Sequence, residues 1–298
     1  MIRSVPTLFA IALSGSALAG TPIDEKHSAA VDARIEISNV KGSVTVSGWD
    51  RNEVAVSGTL GDGAKPLKIE GGDSDLRIKV EGDGKQGWFS WGSDSRMGPT
   101  DLDVKVPKAA ALKINVVSAN VTLSGVDGAS LNVESVSGKL RLDSGAKDVG
   151  VDSVSGNVEL VGKAEQAHVE TVSGGIRTRG LGGRVRYETV SGDVDAEHGG
   201  YRQIDASTVS GDITLRGAPN ADARIGIESM SGSVRLYLPD DFPARMRASS
   251  FSGTIRSDFG KVKREEYGPG SSLDASVGNA SGQVKIETFS GDVDIRRQ

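Results

Sequence analysis

The phrase Val-Ser-Gly returns down this chain at nearly constant intervals, and that regularity restricts the fold more than any other feature. Its serines stand at Ser137, Ser155, Ser173, Ser191, Ser210, Ser231 and Ser252, separated by 18, 18, 18, 19, 21 and 21 residues. The glycines that follow are Gly138, Gly156, Gly174, Gly192, Gly211, Gly232 and Gly253, and Ser290–Gly291 ends the series with Ser281 close before it. Ser118 in VVSANVTL reads as a decayed copy, and SNVKGSVTV, residues 38–46, as an N-terminal one. The period is too short for paired-helix repeats, and the units are β-branched and glycine-rich, so each is one turn of stacked β structure.

The columns of the repeat agree. Six residues before the serine stand Leu131, Val149, Ala167, Val185, Ile204, Ile225, Met246 and Val284; four before stand Val133, Val151, Val169, Tyr187, Ala206, Ile227, Ala248 and Ile286. Three after it stand Leu140, Val158, Ile176, Val194, Ile213, Val234, Ile255 and Val293. This is the period-two alternation of strands with one buried face. The expected fold is all-β: a single-stranded parallel β-helix, or β-solenoid, with 18–21 residues per coil. About nine coils at roughly 4.8 Å each would make a rod of about 45 Å. Ser-Gly is the corner between two strands. The glycine is expected to supply a positive φ or a tight bend, and the serine hydroxyl to bond nearby backbone or its counterpart in the next coil. Residues 31–81 and SLDASVGNASGQVKI, residues 272–286, are the expected end caps.

Composition suits this reading. Aromatics make up only 4% of the chain, glycines number 40 and cysteine is absent, so Val, Ile, Leu and Ala must fill a narrow interior without disulfides. Residues 1–19 read as a signal peptide, with Arg3, the apolar VPTLFAIAL and cleavage near Ala19–Gly20. That apolar stretch is far shorter than the roughly 20 residues that span a bilayer, and no later segment is apolar enough to cross one. Loss of Arg3 leaves 34 basic against 40 acidic residues, a net charge of −6 that argues against nucleic acid as partner. The expected organisation is a short linker at 20–30, an N-terminal β region at 31–106 with a Trp-containing loop at 83–100, and solenoid repeats with a C-terminal cap at 107–298. Residues 31–298 would form one continuous domain, exported to the periplasm or cell surface.

Catalytic patterns are weak. His27, His168 and His198 lie in different coils or none and are expected to face solvent, and serines repeated along a scaffold suit structure better than a unique nucleophile. GDGKQG, residues 82–87, matches GxGxxG but lacks the strand and helix that a dinucleotide site needs. No metal and no cofactor is implied. Three residues before the serine, Glu134, Asp152, Glu170 and Glu188 form an acidic column, screened by cations such as Arg186 and Arg247 or else open to Ca²⁺ or a cationic partner. Immediately before the serine come Val136, Val154, Val172, Val190, Val209, Met230, Phe251 and Phe289. Simple alternation would point this column outward as an apolar stripe; a corner bending one residue early would make it core, which is the expectation taken here. Trp88, Phe89 and Trp91 sit in the 83–100 loop, and with Trp49 they could plug the solenoid end or stack on a sugar or protein partner.

VTVSGWDRNEVAVSG, DLDVKVPKAAALKINVVSANVTLSGV, the run of VSG units, LYLPDDFPARMRASSFSGTIRSDFG and the ending GNASGQVKIETFSGDVDI together resemble the toastrack, or adhesin-like, family of bacterial repeat domains of unknown function. The likeness covers about residues 31–298. It implies a β-helical fold, usually taken as right-handed, an envelope-associated role, and no established catalytic residues to carry over. The expected function is an exported, non-enzymatic β-solenoid scaffold that binds an envelope glycan or protein. The alternative is a β-helical polysaccharide lyase or glycoside hydrolase, for which Glu159, Arg177 and Asp195 share an outward column.

Overall fold

The computed structural model describes residues 20–82, 97–266 and 268–298. Among them are 25 strands and no helix, all joined in one sheet. The N-terminal strands are β1 (Thr21–Ser28), β2 (Arg34–Trp49), β3 (Glu53–Leu60), β4 (Lys68–Gly72), β5 (Asp75–Lys79), β6 (Thr100–Pro107) and β7 (Ala111–Val126). Paired strands follow, one pair to each repeat: β8 (Ser130–Ser137) with β9 (Leu140–Ser144), β10 (Asp148–Ser153) with β11 (Val158–Gly162), and β12 (Gln166–Thr171) with β13 (Ile176–Arg179). Next come β14 (Gly183–Thr189) with β15 (Val194–Gly199), β16 (Tyr201–Thr208) with β17 (Ile213–Ala218), and β18 (Arg224–Ser229) with β19 (Val234–Leu238). The chain ends with β20 (Ala244–Ser250), β21 (Ile255–Ser257), β22 (Lys263–Arg264), β23 (Ser271–Ser276), β24 (Gly282–Thr288) and β25 (Val293–Arg297).

In the middle of the molecule each strand pairs in parallel with its counterpart one repeat away. Val151 lies between Val133 and Val169, and Val158 between Leu140 and Ile176. The inward columns read from the sequence are buried from Leu131 to Val293. Full burial of one such aliphatic side chain contributes about 1.5–3 kcal/mol, but a lone coil has only half a cavity wall, so the gain exists only between neighbours.

The ends depart from sequence order. β24 pairs with β18 on one side and with β20 on the other, and β25 likewise lies between β19 and β21. The last coil of the chain is therefore second from the outside, and the coil of β20 and β21 is outermost. A similar inversion occurs at the other end, where β2 lies between β7 and the pair β5 and β6. Antiparallel strands cover both outer coils: β4 on β5, β3 on β6 with β1 beyond it, and β23 on β20 with β22 beyond it. The free edges carry Pro22, Asp24, Glu25 and Lys26 on β1 and Lys263 and Arg264 on β22, charges and a proline that discourage further strand pairing.

Several expectations change accordingly. Thr21–Ser28 is a strand rather than part of a linker. Both expected caps hold in part: β3 and β4 within 31–81 and β23 within 272–286 are covering strands, while β2 and β24 belong to inner coils. Ser281 does not form a corner but precedes β24, its hydroxyl donating to the Ala221 carbonyl at 2.8 Å. Ser118 lies within the uninterrupted strand β7.

His198 also differs from expectation. It lies on β15 with its side chain inside the solenoid, 4% exposed. There Nε2 meets the Tyr187 hydroxyl, Thr178 Oγ1 lies 2.6 Å from that hydroxyl, and the Tyr201 ring stands edge-on to the imidazole. Desolvation pushes the His198 pKa down to about 4 and raises those of Tyr187 and Tyr201 above the phenolic range. Tyr187 fits because the neighbouring positions in its column are Val169 and Ala206. His27 and His168 remain partly exposed.

Candidate functional site

The feature repeated along the whole solenoid is the corner, and its chemistry builds outward from the interior. Two residues before each motif serine stands a buried hydroxyl: Ser135, Ser153, Thr171, Thr189, Thr208, Ser229, Ser250 and Thr288. In five coils, those of Ser153, Thr189, Thr208, Ser229 and Ser250, the hydroxyl accepts the corner glycine's N–H at 2.8–3.0 Å. Thr171 and Thr288 donate to the glycine carbonyl at 2.6 and 2.8 Å. This column was not singled out in the sequence reading, although its unbroken run of Ser and Thr was the available signal.

The corner glycines serve a different purpose from the one expected. Among them Gly138 alone has a positive φ, 128°. The others are required by close approach: a Cβ on Gly156, Gly174, Gly192, Gly211, Gly232, Gly253 or Gly291 would lie 1.8–2.1 Å from the carbonyl oxygen of the corner glycine in the adjacent coil. The motif serines tie coils together, each donating to a carbonyl of the neighbouring corner at 3.1–3.4 Å, from Ser155 to Val136 through Ser290 to Met230 and Ser252 to Phe289.

Because the last inward position is a hydroxyl that closes the turn, alternation continues to the end of the strand and the corner does not bend early. The residue before each serine therefore points outward, and the core assignment is overturned. Val136, Val154, Val172, Val190, Val209 and Met230 are 44–55% exposed, followed in space by Phe289 at 54% and Phe251 at 60%. The two phenyl rings stack with centroids 5.0 Å apart. The result is one continuous apolar ladder along eight coils.

The acidic column flanks it. Lys113 meets Glu134 at 2.9 Å, Arg186 meets Glu188 at 3.5 Å and Lys285 meets Glu287 at 2.9 Å. Arg247 instead approaches Asp274 at 4.0 Å. Asp152, His168 and Glu170 bring ligand-type atoms within 4.8 Å of one another, with His168 3.8 Å from Glu170. Between the two columns lies an open groove of about 430 Å³, running from Val117 and Glu134 past Asp152 and Val154 to Glu170 and Val172.

The column beyond the corner is a ladder of paired charges. Arg141 meets Glu159 at 3.3 Å, Arg177 meets Asp195 at 3.8 Å and Arg256 meets Asp294 at 3.7 Å. Lys139 also bonds Glu159 at 2.8 Å and holds its carboxyl below the usual range. A glycosidase acid needs the opposite, a carboxyl kept protonated. Trp49, at the end of β2, donates its indole N–H to the Glu53 carbonyl at 2.7 Å and lies 4.9 Å from Arg51 and 5.9 Å from Lys105. Trp88, Phe89 and Trp91 lie outside the described residues, as does residues 1–19, the expected signal peptide.

Residues 32–296 match the family described as Toastrack DUF4097. The chain belongs to the toastrack family. A solved structure from Parabacteroides merdae ATCC 43184, provisionally named an adhesin, aligns over 94% of this toastrack chain and 97% of its own at 9% identity, with a TM-score of 0.54. One from Parabacteroides distasonis ATCC 8503, provisionally named a lipid binding protein, aligns over 94% and 98% at 13% identity, with a TM-score of 0.51. Identities this low show a shared fold alone. No curated protein matches this toastrack sequence.

Proposed function

We infer that this toastrack protein is an exported, non-enzymatic scaffold, right-handed in its winding, that presents its corner face to a partner in the cell envelope. The observation that carries this reading is the exposed apolar ladder. Eight large side chains are held half in water at corners built by hydroxyls, glycines and serines, with seven of the eight buried hydroxyls bonded to their corner glycine and the Ser135 hydroxyl left without a partner. Leaving that much apolar surface in a row forgoes hydrophobic stabilisation, and large exposed patches mark interaction sites. The adhesin name given to the Parabacteroides merdae relative agrees with a binding role. The segment expected from the sequence to form a loop at 83–100, with Trp88, Phe89 and Trp91, is a second proposed contact.

The test uses protein beginning at Gly20 in a glycan-array screen and an envelope pull-down. The scaffold reading predicts capture of a specific glycan or protein, with no turnover of the captured material. Depolymerisation of a polysaccharide in the same samples would replace it with the enzymatic alternative. The double substitution Trp88→Ala with Trp91→Ala should weaken binding while leaving the melting temperature nearly unchanged; a large fall in melting temperature would make the loop a structural plug.

A further inference from the structure

The ladder and its acidic flank narrow the chemistry of the partner, if the scaffold reading above holds. We propose that they dock one amphipathic helix of another protein, its apolar face on the Val/Met/Phe ladder and its Lys or Arg side chains against the neighbouring carboxylates.

Three observations lead there. The first is width. The ladder is a single side chain across, whereas a stable association of two copies needs about 800 Å² from each. A second copy would also bring a like-charged row, since the chain carries a net charge of −5. The second is charge. Glu134, Glu188 and Glu287 have basic partners, but Asp152 and Glu228 form no ion pair within 4.0 Å among the described residues, Lys285 near Glu228 being bonded to Glu287, and Glu170 has only His168. These carboxylates leave a net negative rim beside apolar side chains, complementary to a cationic amphipathic segment.

The third is register. A helix advances about 5.4 Å per turn and the coils about 4.8 Å, a slip of roughly 0.6 Å per turn that keeps four turns within half a coil. Same-face residues of an extended strand lie about 6.8 Å apart and lose register by the second pair. The groove between the columns spans four coils, from Val117 to Val172, the length over which a helix stays in step. Helix-in-groove binding by spaced apolar anchors is the mode that fits.

The test titrates the full chain with helical peptides of about 16 residues, followed by fluorescence anisotropy. One has a Leu stripe flanked by Lys, one the same stripe flanked by Glu, and one scrambles the Leu/Lys composition. The Leu/Lys amphipathic peptide should bind, and the other two at least about tenfold more weakly. The triple variant V136T/V154T/V172T should lose about tenfold in affinity, and D152N/E170Q should lose the salt-sensitive part. The second variant reads the groove independently if the first folds poorly. Equal binding of the scrambled peptide, or wild-type affinity in both variants, overturns the proposal. So does concentration-dependent dimerisation abolished by V136T/V154T/V172T, which would make a second copy the occupant, or binding to anionic vesicles that exceeds peptide binding. Failure with the peptide but retained capture of an envelope partner removes this inference alone. Peptide binding without any envelope capture counts against the scaffold reading instead.

Discussion

The middle of the stack and its ends follow different rules. From β8 to β19, order in space is order in sequence, because every coil offers the same two surfaces to its neighbours. At each end the outermost parallel coil is the second one from that terminus in sequence, and antiparallel strands cover it. Repetition alone therefore fixes the interior of a solenoid, whereas a terminus needs a surface unlike the repeat.

The largest effect should come from deleting residues 282–298. Were β24 and β25 a terminal coil, hydrogen exchange would change only nearby; as an inner coil, their loss should also expose Ala244–Ser276, which pair with them or with strands that do. Unchanged protection of that segment would break the comparison. Next, Gly192→Ala should cost about 3 kcal/mol or more in denaturant unfolding, because its new Cβ lies 2.0 Å from the Gly174 carbonyl oxygen between two fixed coils. Gly253→Ala makes a similar contact, but its outermost coil can move away, so its cost should be smaller; equal costs would show that the end is as rigid as the middle.

His198 sharpens the comparison from the middle. Below the ordinary 6.5 the unfolded chain takes a proton that the folded interior refuses until about pH 4. Stability should therefore fall as pH drops through that window, by at most about 3 kcal/mol, and His198→Leu should flatten the slope in urea unfolding at a series of pH values. The smallest effect concerns the swapped end. Asp294 lies between Arg235 and Arg256, so Asp294→Arg stacks three like charges and should lower stability by up to about 1 kcal/mol at low salt, less at high salt. A neutral outcome at low salt would mean that this charge column does not help select the swapped order.

Much of this was legible from residues. The inward columns at Leu131, Val133 and Leu140 and their successors are where alternation places them, because a period of two leaves only one buried face. The outward column at Val136 was misjudged. Alternation points it outward, and the core expectation required a corner that bends one residue early, which the buried Ser/Thr position just inside it prevents. The order of coils at the C-terminus had a signal too. In sequence order Arg235 would stack on Arg256; only the swapped order alternates Arg235, Asp294 and Arg256.

By itself the sequence determined the repeat, the strands and which side chains line the interior, since these follow from spacing and from the cost of leaving aliphatic surface in water. Only the tertiary structure decided which coil lies outermost, that His198 is enclosed and that the valine ladder faces solvent. Those outcomes depend on contacts between coils distant along the chain and on how a corner satisfies its backbone hydrogen bonds, which the Ser/Thr and charge columns are compatible with but do not decide.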